Sequence, residues 1–259
     1  MASVKRLSTS KLGTYQTCPY QYKLTYVDYI VPKVRSNAAA AFGSGIHNLL
    51  EWWYIQRRFD LRGLLDNYRK YLDIEFAKPD TESPDPAYKN MLYGKAPTML
   101  RVFHQRQRKD GLLIPAIDTE MQFEVAYPTP WGDIIILNGR IDLIIRGCDG
   151  IEINDYKTGV WPLSQKEADE DNQMTFYSLA YRIMRRANKV KYPDLESKLV
   201  LHYLAKDLKV ETTRNRIHYL NLMEQINQMA SAVKAGEFSA TPSQDNCKWC
   251  PYKGKECKF

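Results

Sequence analysis

Ile151-Glu-Ile-Asn-Asp-Tyr-Lys-Thr-Gly159 is the stretch from which the rest of this 259-residue chain can be read. Its isoleucines and the closing Thr158-Gly159 predict a strand that ends at a turn. Side chains alternate along a strand, so Ile153, Asp155 and Lys157 share one face and Glu152 points the other way. An acid and a lysine two apart at a strand end share one cleft. The preceding run Gly139-Arg-Ile-Asp-Leu-Ile144 puts a second carboxylate, Asp142, on a neighbouring strand. Two carboxylates on adjacent strands make a hard oxygen site for a divalent cation. A lysine beside them holds or deprotonates a metal-activated water. Taken alone, an Asp-x-Lys pair reads first as a surface ion pair on a half-exposed strand, worth roughly 0–1 kcal/mol; the further motifs turn the reading toward a site.

Outward from this strand the pattern is short runs rich in Ile and Val: Thr119–Tyr127, Asp133–Leu137, Arg140–Arg146 and Ile151–Lys157. Asn138-Gly139 and Asp149-Gly150 between them are hairpin signals, which predicts an antiparallel meander. Before it, Ser8-Thr9-Ser10 followed by Lys11–Thr17 reads as a capped short helix that Cys18-Pro19 breaks, and Tyr20–Tyr29 continues as a helical piece. Ala38–Ala77 reads as two helices separated near Asp60–Gly63, and Ala87–Lys109 as a third that stops at Asp110-Gly111. After it come a long helix over Gln165–Ala187, strands at Lys198–Ala205 and Lys209–Thr213, and a last helix over Arg214–Ala235. The tail from Gly236 is irregular. The sum is an α/β sheet flanked by helices, with a helical part near the front.

Composition is that of an ordered globular protein, 44% hydrophobic and 26% charged, which excludes disorder as the main state. The longest apolar run, Ile134–Leu137, falls far short of the roughly 20 residues that span a bilayer, and Met1–Leu7 lacks the apolar core of a signal peptide. A soluble, cytoplasmic protein with no membrane partner is expected, in the host cytoplasm if phage-encoded. The excess of 37 basic over 30 acidic residues gives +7 and mildly favours a polyanionic partner. Eighteen tyrosines suit a base-stacking groove and a packed core alike.

Five cysteines, three of them near the C-terminus, point in a reducing compartment to metal rather than disulfides. Cys247-x-x-Cys250-x6-Cys257, with Cys18 near the other end, supplies four thiolates. Zinc and an iron–sulfur cluster both take four; the Cys-x-x-Cys spacing by itself favours zinc, and the one-plus-three split across the chain favours a cubane cluster. Cys148, in the Gly147–Gly150 turn, reads as a free thiol. Lys248, Trp249, Tyr252, Lys253 and Lys255 surround the ligands, where they cover the cluster or touch DNA.

Helical phase at about 100° per residue places Gln173, Tyr177 and Tyr181 along one edge of an apolar face formed by Phe176, Leu179, Ala180, Ile183, Met184 and Ala187. Arg182, Arg185, Arg186 and Lys189 fall opposite that face, toward solvent. Arg101, His104 and Arg108 line another helix, as phosphate contacts or as a solvated face. His47 lies near a helix start after two glycines, and Glu51 follows one turn on.

The order Gly43-x-Gly45-x-His47, Gly139-Arg-Ile-Asp142, Asp155-Tyr-Lys157-Thr-Gly159 and Gln173-x-x-x-Tyr177 resembles the RecB-like branch of the PD-(D/E)XK nucleases. Leu7-Ser-Thr-Ser-Lys-Leu12, Tyr15-x-x-Cys18-Pro19 and the C-terminal cysteines resemble its iron–sulfur members. Those include the nuclease domain of AddB and the four-cysteine nucleases of CRISPR adaptation. The likeness covers residues 7–257. Ile141 stands where the wider pattern has proline, and the third acid is Asp155 rather than glutamate. The resemblance implies a restriction-endonuclease-like core, a central mixed sheet flanked by helices, with residues 1–259 forming one nuclease domain. Residues 1–30 and 236–259 would together form the cysteine-cluster region.

It also implies that His47, Asp142, Asp155 and the Tyr156 backbone carbonyl hold Mg²⁺ or Mn²⁺, and that Gln173 and Tyr177 orient Lys157 or the scissile phosphate. Cys18, Cys247, Cys250 and Cys257 would hold a [4Fe–4S] cluster, with zinc as the alternative. The expected activity is a divalent-metal-dependent deoxyribonuclease, an exonuclease acting on single-stranded DNA or DNA ends. A recombination, repair, replication or CRISPR-adaptation partner fits such an enzyme. The rivals are a non-catalytic DNA-end-binding adaptor with a structural cluster, and a redox or iron sensor.

Overall fold

In the computed structural model, residues 3–32, 37–147, 149–192, 194, 196–248 and 250–259 are described. Cys148 and Trp249 lie outside them. In chain order the elements begin with β1 (Arg6–Leu7), α1 (Thr9–Thr17) and α2 (Pro19–Tyr22), which runs into a π-helical turn over Lys23–Val27. Then come α3 (Ala38–Gln56), α4 (Leu61–Phe76), α5 (Pro86–Lys109), β2 (Asp118–Pro128), β3 (Ile134–Gly147) and β4 (Gly150–Lys157). The chain closes with α6 (Gln165–Asp169), α7 (Asn172–Arg186), β5 (Glu196–Tyr203), β6 (Leu208–Thr212), α8 (Arg216–Ala235) and α9 (Gln244–Lys248). None of these helices is long and apolar enough to cross a membrane.

The chain divides into two compact units. The first comprises Met1–Arg35, Phe123–Gly139 and Asn215–Phe259; the second comprises Ser36–Gln122 and Arg140–Arg214. In the first, β1 runs parallel to the early part of β3, with Arg6 opposite Ile136 and Leu7 opposite Leu137. In the second, the late part of β3 pairs antiparallel with β4, β4 runs parallel to β5, and β5 runs antiparallel to β6. The sheet is therefore mixed and flanked by helices, as an α/β restriction-endonuclease-like core requires. Ile151 through Tyr156 are all buried, so β4 is covered on both faces.

The helical part of the second unit packs an apolar interior of its own. Ile46, Leu49, Leu50, Trp53, Leu64, Leu72, Leu100 and Phe103 are each at most 1% exposed. Helix starts follow the side-chain caps written in the sequence: Asn37 accepts from Ala40 N–H, Asp60 from Gly63 N–H, and Asp85 from Ala87 and Tyr88 N–H. Gly45 permits the contact of α3 with α4, since a Cβ there would come within 2.8 Å of a Leu72 methyl.

Two local expectations are corrected. Asn138-Gly139 is not a hairpin: Asp133–Leu137 and Arg140–Arg146 form the single strand β3. The glycine serves a close approach instead, because a Cβ on Gly139 would lie 2.6 Å from the Phe123 ring. The helix expected over Gln165–Ala187 is two helices, α6 and α7. Asp171, in extended backbone, caps the second by accepting from Met174 N–H at 2.7 Å. The buried Arg214 holds the break, donating to the carbonyls of Ala168 at 2.9 Å and Asp171 at 3.1 Å.

Candidate active site

All the acids in question sit in the second unit. Asp142 projects from β3 and accepts the Tyr156 N–H at 2.8 Å, so its carboxylate is fixed by the backbone of β4. His47, one turn into α3 beyond Gly43, brings its Nε2 to 2.9 Å from the Tyr156 carbonyl oxygen. The glycine matters here: a Cβ on Gly43 would meet the Thr158 hydroxyl at 3.0 Å, just where β4 ends. The other ring nitrogen, Nδ1, faces Asp142 at 3.4 Å and Glu120 at 3.9 Å. His47, Glu120 and Asp142 thus offer ligand atoms that all lie within 4.8 Å of one another.

Asp155, 1% exposed, points to the same region but pairs with Lys157 Nζ at 2.7 Å. Lys157 Nζ also donates to Gln173 Oε1 at 2.6 Å, and Gln173 Nε2 donates to the Tyr177 hydroxyl at 2.8 Å. The sequence-identified residues therefore fall into two linked sets: His47 and Asp142 with the Tyr156 backbone, and Asp155–Lys157–Gln173–Tyr177. Glu152 lies apart, buried on the other face and paired with Lys198 at 3.3 Å. Glu51 is outside the ligand-sized group, though its charge reaches Glu120.

Glu120 is the residue that reading the sequence missed. It lies on β2, 8% exposed, with its carboxylate on Arg140 Nε at 2.5 Å. Its φ of +49° is in the left-handed region, which a non-glycine residue occupies at a cost of order 1–3 kcal/mol.

Burial and the crowding of acids shift Glu120, Asp155, His47 and Lys157. Burial and the Asp142 charge push Glu120 up to about 7, against the pull of Arg140 and His47. Burial and Asp142 likewise raise Asp155 to about 6, although Lys157 opposes them. For His47, burial works downward, but the hydrogen bond and charge of Asp142, with Asp155 and Glu120, hold the imidazole up to about 9. Burial also disfavours the Lys157 ammonium, yet Asp155 lifts it above the ordinary lysine value. Glu120 and Asp155 stay shifted upward although Arg140, His47 and Lys157 stand beside them, so the site buries more negative charge than its own cations offset.

The pH dependence follows. Folded values of about 7, 6 and 9 for Glu120, Asp155 and His47 all exceed the ordinary 4.5, 3.8 and 6.5. Between about pH 4 and 9 the folded state thus binds more protons than the unfolded one, and the site's contribution to stability is lost as pH rises. Thermal melts in EDTA should show Tm falling across that window. Glu120→Gln should raise Tm at about pH 8 and flatten the part of the curve below pH 7. A Tm that climbs with pH in EDTA would contradict this electrostatic picture.

The four cysteines lie in the first unit. Cys18 joins α1 to α2, Cys247 lies in α9, and Cys250 and Cys257 follow; all four are free thiols lining one cavity with Leu24, Pro242, Tyr252 and Phe259. Burial and the charges of Cys257, Cys18 and Cys247 push Cys250 up. Burial acts the same way on Cys18, but the backbone N–H groups of Thr241, Gln21 and Tyr20 and the Thr241 hydroxyl bring its value below the ordinary thiol. Tyr252, 1% exposed, donates to the Ile30 carbonyl at 2.8 Å; it covers the cavity and is closed to DNA.

Two charged stripes are corrected as well. Arg182 is not a solvent-facing arginine, since its Nε bonds Glu196 at 2.6 Å. His104 brings its Nε2 to 3.0 Å from the Phe59 carbonyl oxygen and packs edge-on to Trp53. Arg101, Arg108 and Arg186 are exposed.

No curated protein matches the chain. Among solved structures, the crystal structure of SSO0001 is similar at 15% identity and a TM-score of 0.37, over 90% of this chain and 91% of that one. The profile of the PD-(D/E)XK nuclease superfamily matches residues 6–255. That span takes in β1, the whole sheet that carries Asp142, Asp155 and Lys157, and Cys18, Cys247 and Cys250, with Cys257 just beyond it; the chain belongs to the PD-(D/E)XK nuclease superfamily.

Proposed function

We propose that this superfamily member is a divalent-metal-dependent exodeoxyribonuclease of the RecB-like type, acting on single-stranded DNA or DNA ends. The observation that carries the reading is the Asp155–Lys157–Gln173–Tyr177 chain of contacts beside the buried His47, Glu120 and Asp142. A structural pair or a pure DNA binder has no need of three crowded acids, each of which costs free energy to bury.

In this reading His47, Asp142, Asp155 and the Tyr156 carbonyl hold Mg²⁺ or Mn²⁺, and Glu120 adds a further carboxylate. The bound ion supplies the charge that polarises the scissile phosphate and acidifies a water. Asp142 is kept in place by the Tyr156 N–H and His47 by the Tyr156 carbonyl, so one residue's backbone aligns two ligands. Lys157 stays protonated beside Asp155. It orients the attacking water and steadies charge on the phosphate by donating hydrogen bonds. Gln173 keeps the ammonium aimed, and Tyr177, whose hydroxyl burial holds protonated, aims Gln173. With an imidazole in the set, Mn²⁺ should bind more tightly than Mg²⁺.

For the cysteines we favour a [4Fe–4S] cluster over zinc. Support comes from four thiols on one cavity and from amides directed at the Cys18 sulfur, which suit a thiolate-bound cluster.

The test is incubation of the purified protein with end-labelled single-stranded and duplex DNA in Mn²⁺, Mg²⁺ or EDTA. Short products from single strands or from ends, in Mn²⁺ above all and none in EDTA, are expected. Intact DNA under every condition would overturn the reading.

A further inference from the structure

The chain leaves β4 at Lys157 and runs through residues 158–164 before α6 begins. Both ends of this segment are fastened. At its start the Thr158 carbonyl accepts from Lys95 Nζ at 3.3 Å, and the Thr158 side chain packs against the bare Gly43. At its finish Leu163 N–H donates to the Tyr203 hydroxyl at 3.0 Å, and Ser164 N–H donates to Glu167 at 2.8 Å. Between these anchors the segment presents Val160, 42% exposed, and Trp161, 87% exposed. No other large hydrophobic residue that the structure describes is as open to water as Trp161.

An indole carries about 150–250 Å² of surface, nearly all of it favourable to bury. Here it is held out rather than folded down. Pro162 follows and confines the Trp161 backbone to extended conformations, so the ring stands on a short, braced projection. It is four residues beyond Lys157, which at about 3.5 Å per residue puts it within roughly 14 Å of the lysine along the chain. That is about two nucleotides of a strand. Lys95, at the foot of the loop, supplies positive charge for a phosphate backbone passing here.

We propose that Trp161 stacks on an unpaired nucleobase beside the scissile phosphate and so selects strands whose bases are free. A stacked base hides the faces of an aromatic from any side chain, whereas an unpaired one offers a π-face of the same size as indole. The occupant is DNA and not a protein partner, because anything else seated four residues from Lys157 would block the strand to be cut. The proposal rests on the nuclease reading, which its test keeps separate.

The probes are a 12-nucleotide oligothymidylate and the same 12-mer with abasic residues in place of its bases, titrated in EDTA. Wild-type protein should bind the intact strand about tenfold more tightly than the abasic one. Trp161→Ala should bind both alike, at the wild type's affinity for the abasic strand. Trp161→Phe should keep most of the preference. Circular dichroism should be unchanged in both variants, as expected at so exposed a position. A Trp161→Ala protein that keeps the wild-type preference overturns the proposal, as does a wild type without one. Cleavage of the intact 12-mer in Mn²⁺ reports on the nuclease reading alone: a protein that cuts without base preference overturns only the stacking. One that prefers bases but never cuts overturns only the nuclease.

Discussion

Lys157→Ala should cleave DNA about 10²- to 10⁴-fold more slowly than the wild type, the range expected when a positioned proton donor or acceptor is removed from a transition state. Lys157 makes short contacts to Asp155 and Gln173 and is about one-third exposed, so its loss leaves the fold standing. Metal affinity should hold or improve, because a positive neighbour of Asp155 is gone. Asp155→Ala should lose activity to the same degree or more and should also bind Mn²⁺ more weakly in calorimetric titration. The pair of variants thus separates a lysine that orients water from an acid that holds the ion. Near-wild-type turnover in either would remove the proposed site. The control needs care. Glu152 lies on the opposite face but is buried against Lys198, so Glu152→Ala should lower Tm while cleavage per folded molecule stays close to wild type.

Alternation along Ile151–Lys157 was enough to place Asp155 and Lys157 together and Glu152 apart, because β4 pairs with β5 in one register from Glu152 to Lys157, past the irregularity at Ile151. Helical phase put Gln173 and Tyr177 on one edge of a helix, and they touch one turn apart because α7 is unbroken from Asn172 to Arg186. Glu120 escaped because β2 is not regular at that point. Phe123, Val125 and Tyr127 are the buried residues of the strand, so alternation assigns the inner face to odd positions and turns Glu120 outward. The left-handed backbone at Glu120 reverses the parity there and carries the carboxylate inward. No local composition announces that reversal. Asn138-Gly139 misled in the opposite sense: a dipeptide with strong turn chemistry lies inside a strand because the Phe123 ring needs the space that glycine leaves. The helix expected over Gln165–Ala187 breaks at Asp171, whose carbonyl is held by Arg214, 43 residues away. Long-range contacts of this kind leave no mark on the segment they shape.

Replacing any one of Cys18, Cys247, Cys250 or Cys257 by serine should bleach the protein and lower its Tm by roughly 10 °C or more. The reasoning is entropic. A centre bound to Cys18 and Cys247 closes a loop of about 230 residues, and a cross-link over such a loop constrains the unfolded chain by on the order of 5 kcal/mol. For a chain of this size each kcal/mol moves Tm by about 2–4 °C. The cysteine cavity is otherwise thinly held: α9 has no buried residue, and Tyr252 is the large buried side chain of the tail. Protein purified without oxygen should be brown, absorb broadly near about 400 nm and carry about four irons per chain. Colourless protein with one zinc per chain would overturn the iron–sulfur assignment and leave the cross-linking argument intact, since zinc binds the same four thiolates. The carboxylates and Lys157 belong to the second unit and the thiols to the first. A serine variant should therefore lose activity in step with its loss of folded protein as temperature rises, and not through any change in the pH dependence of cleavage. A shifted pH profile at a temperature where the variant is still folded would mean that the cluster acts on the chemistry itself.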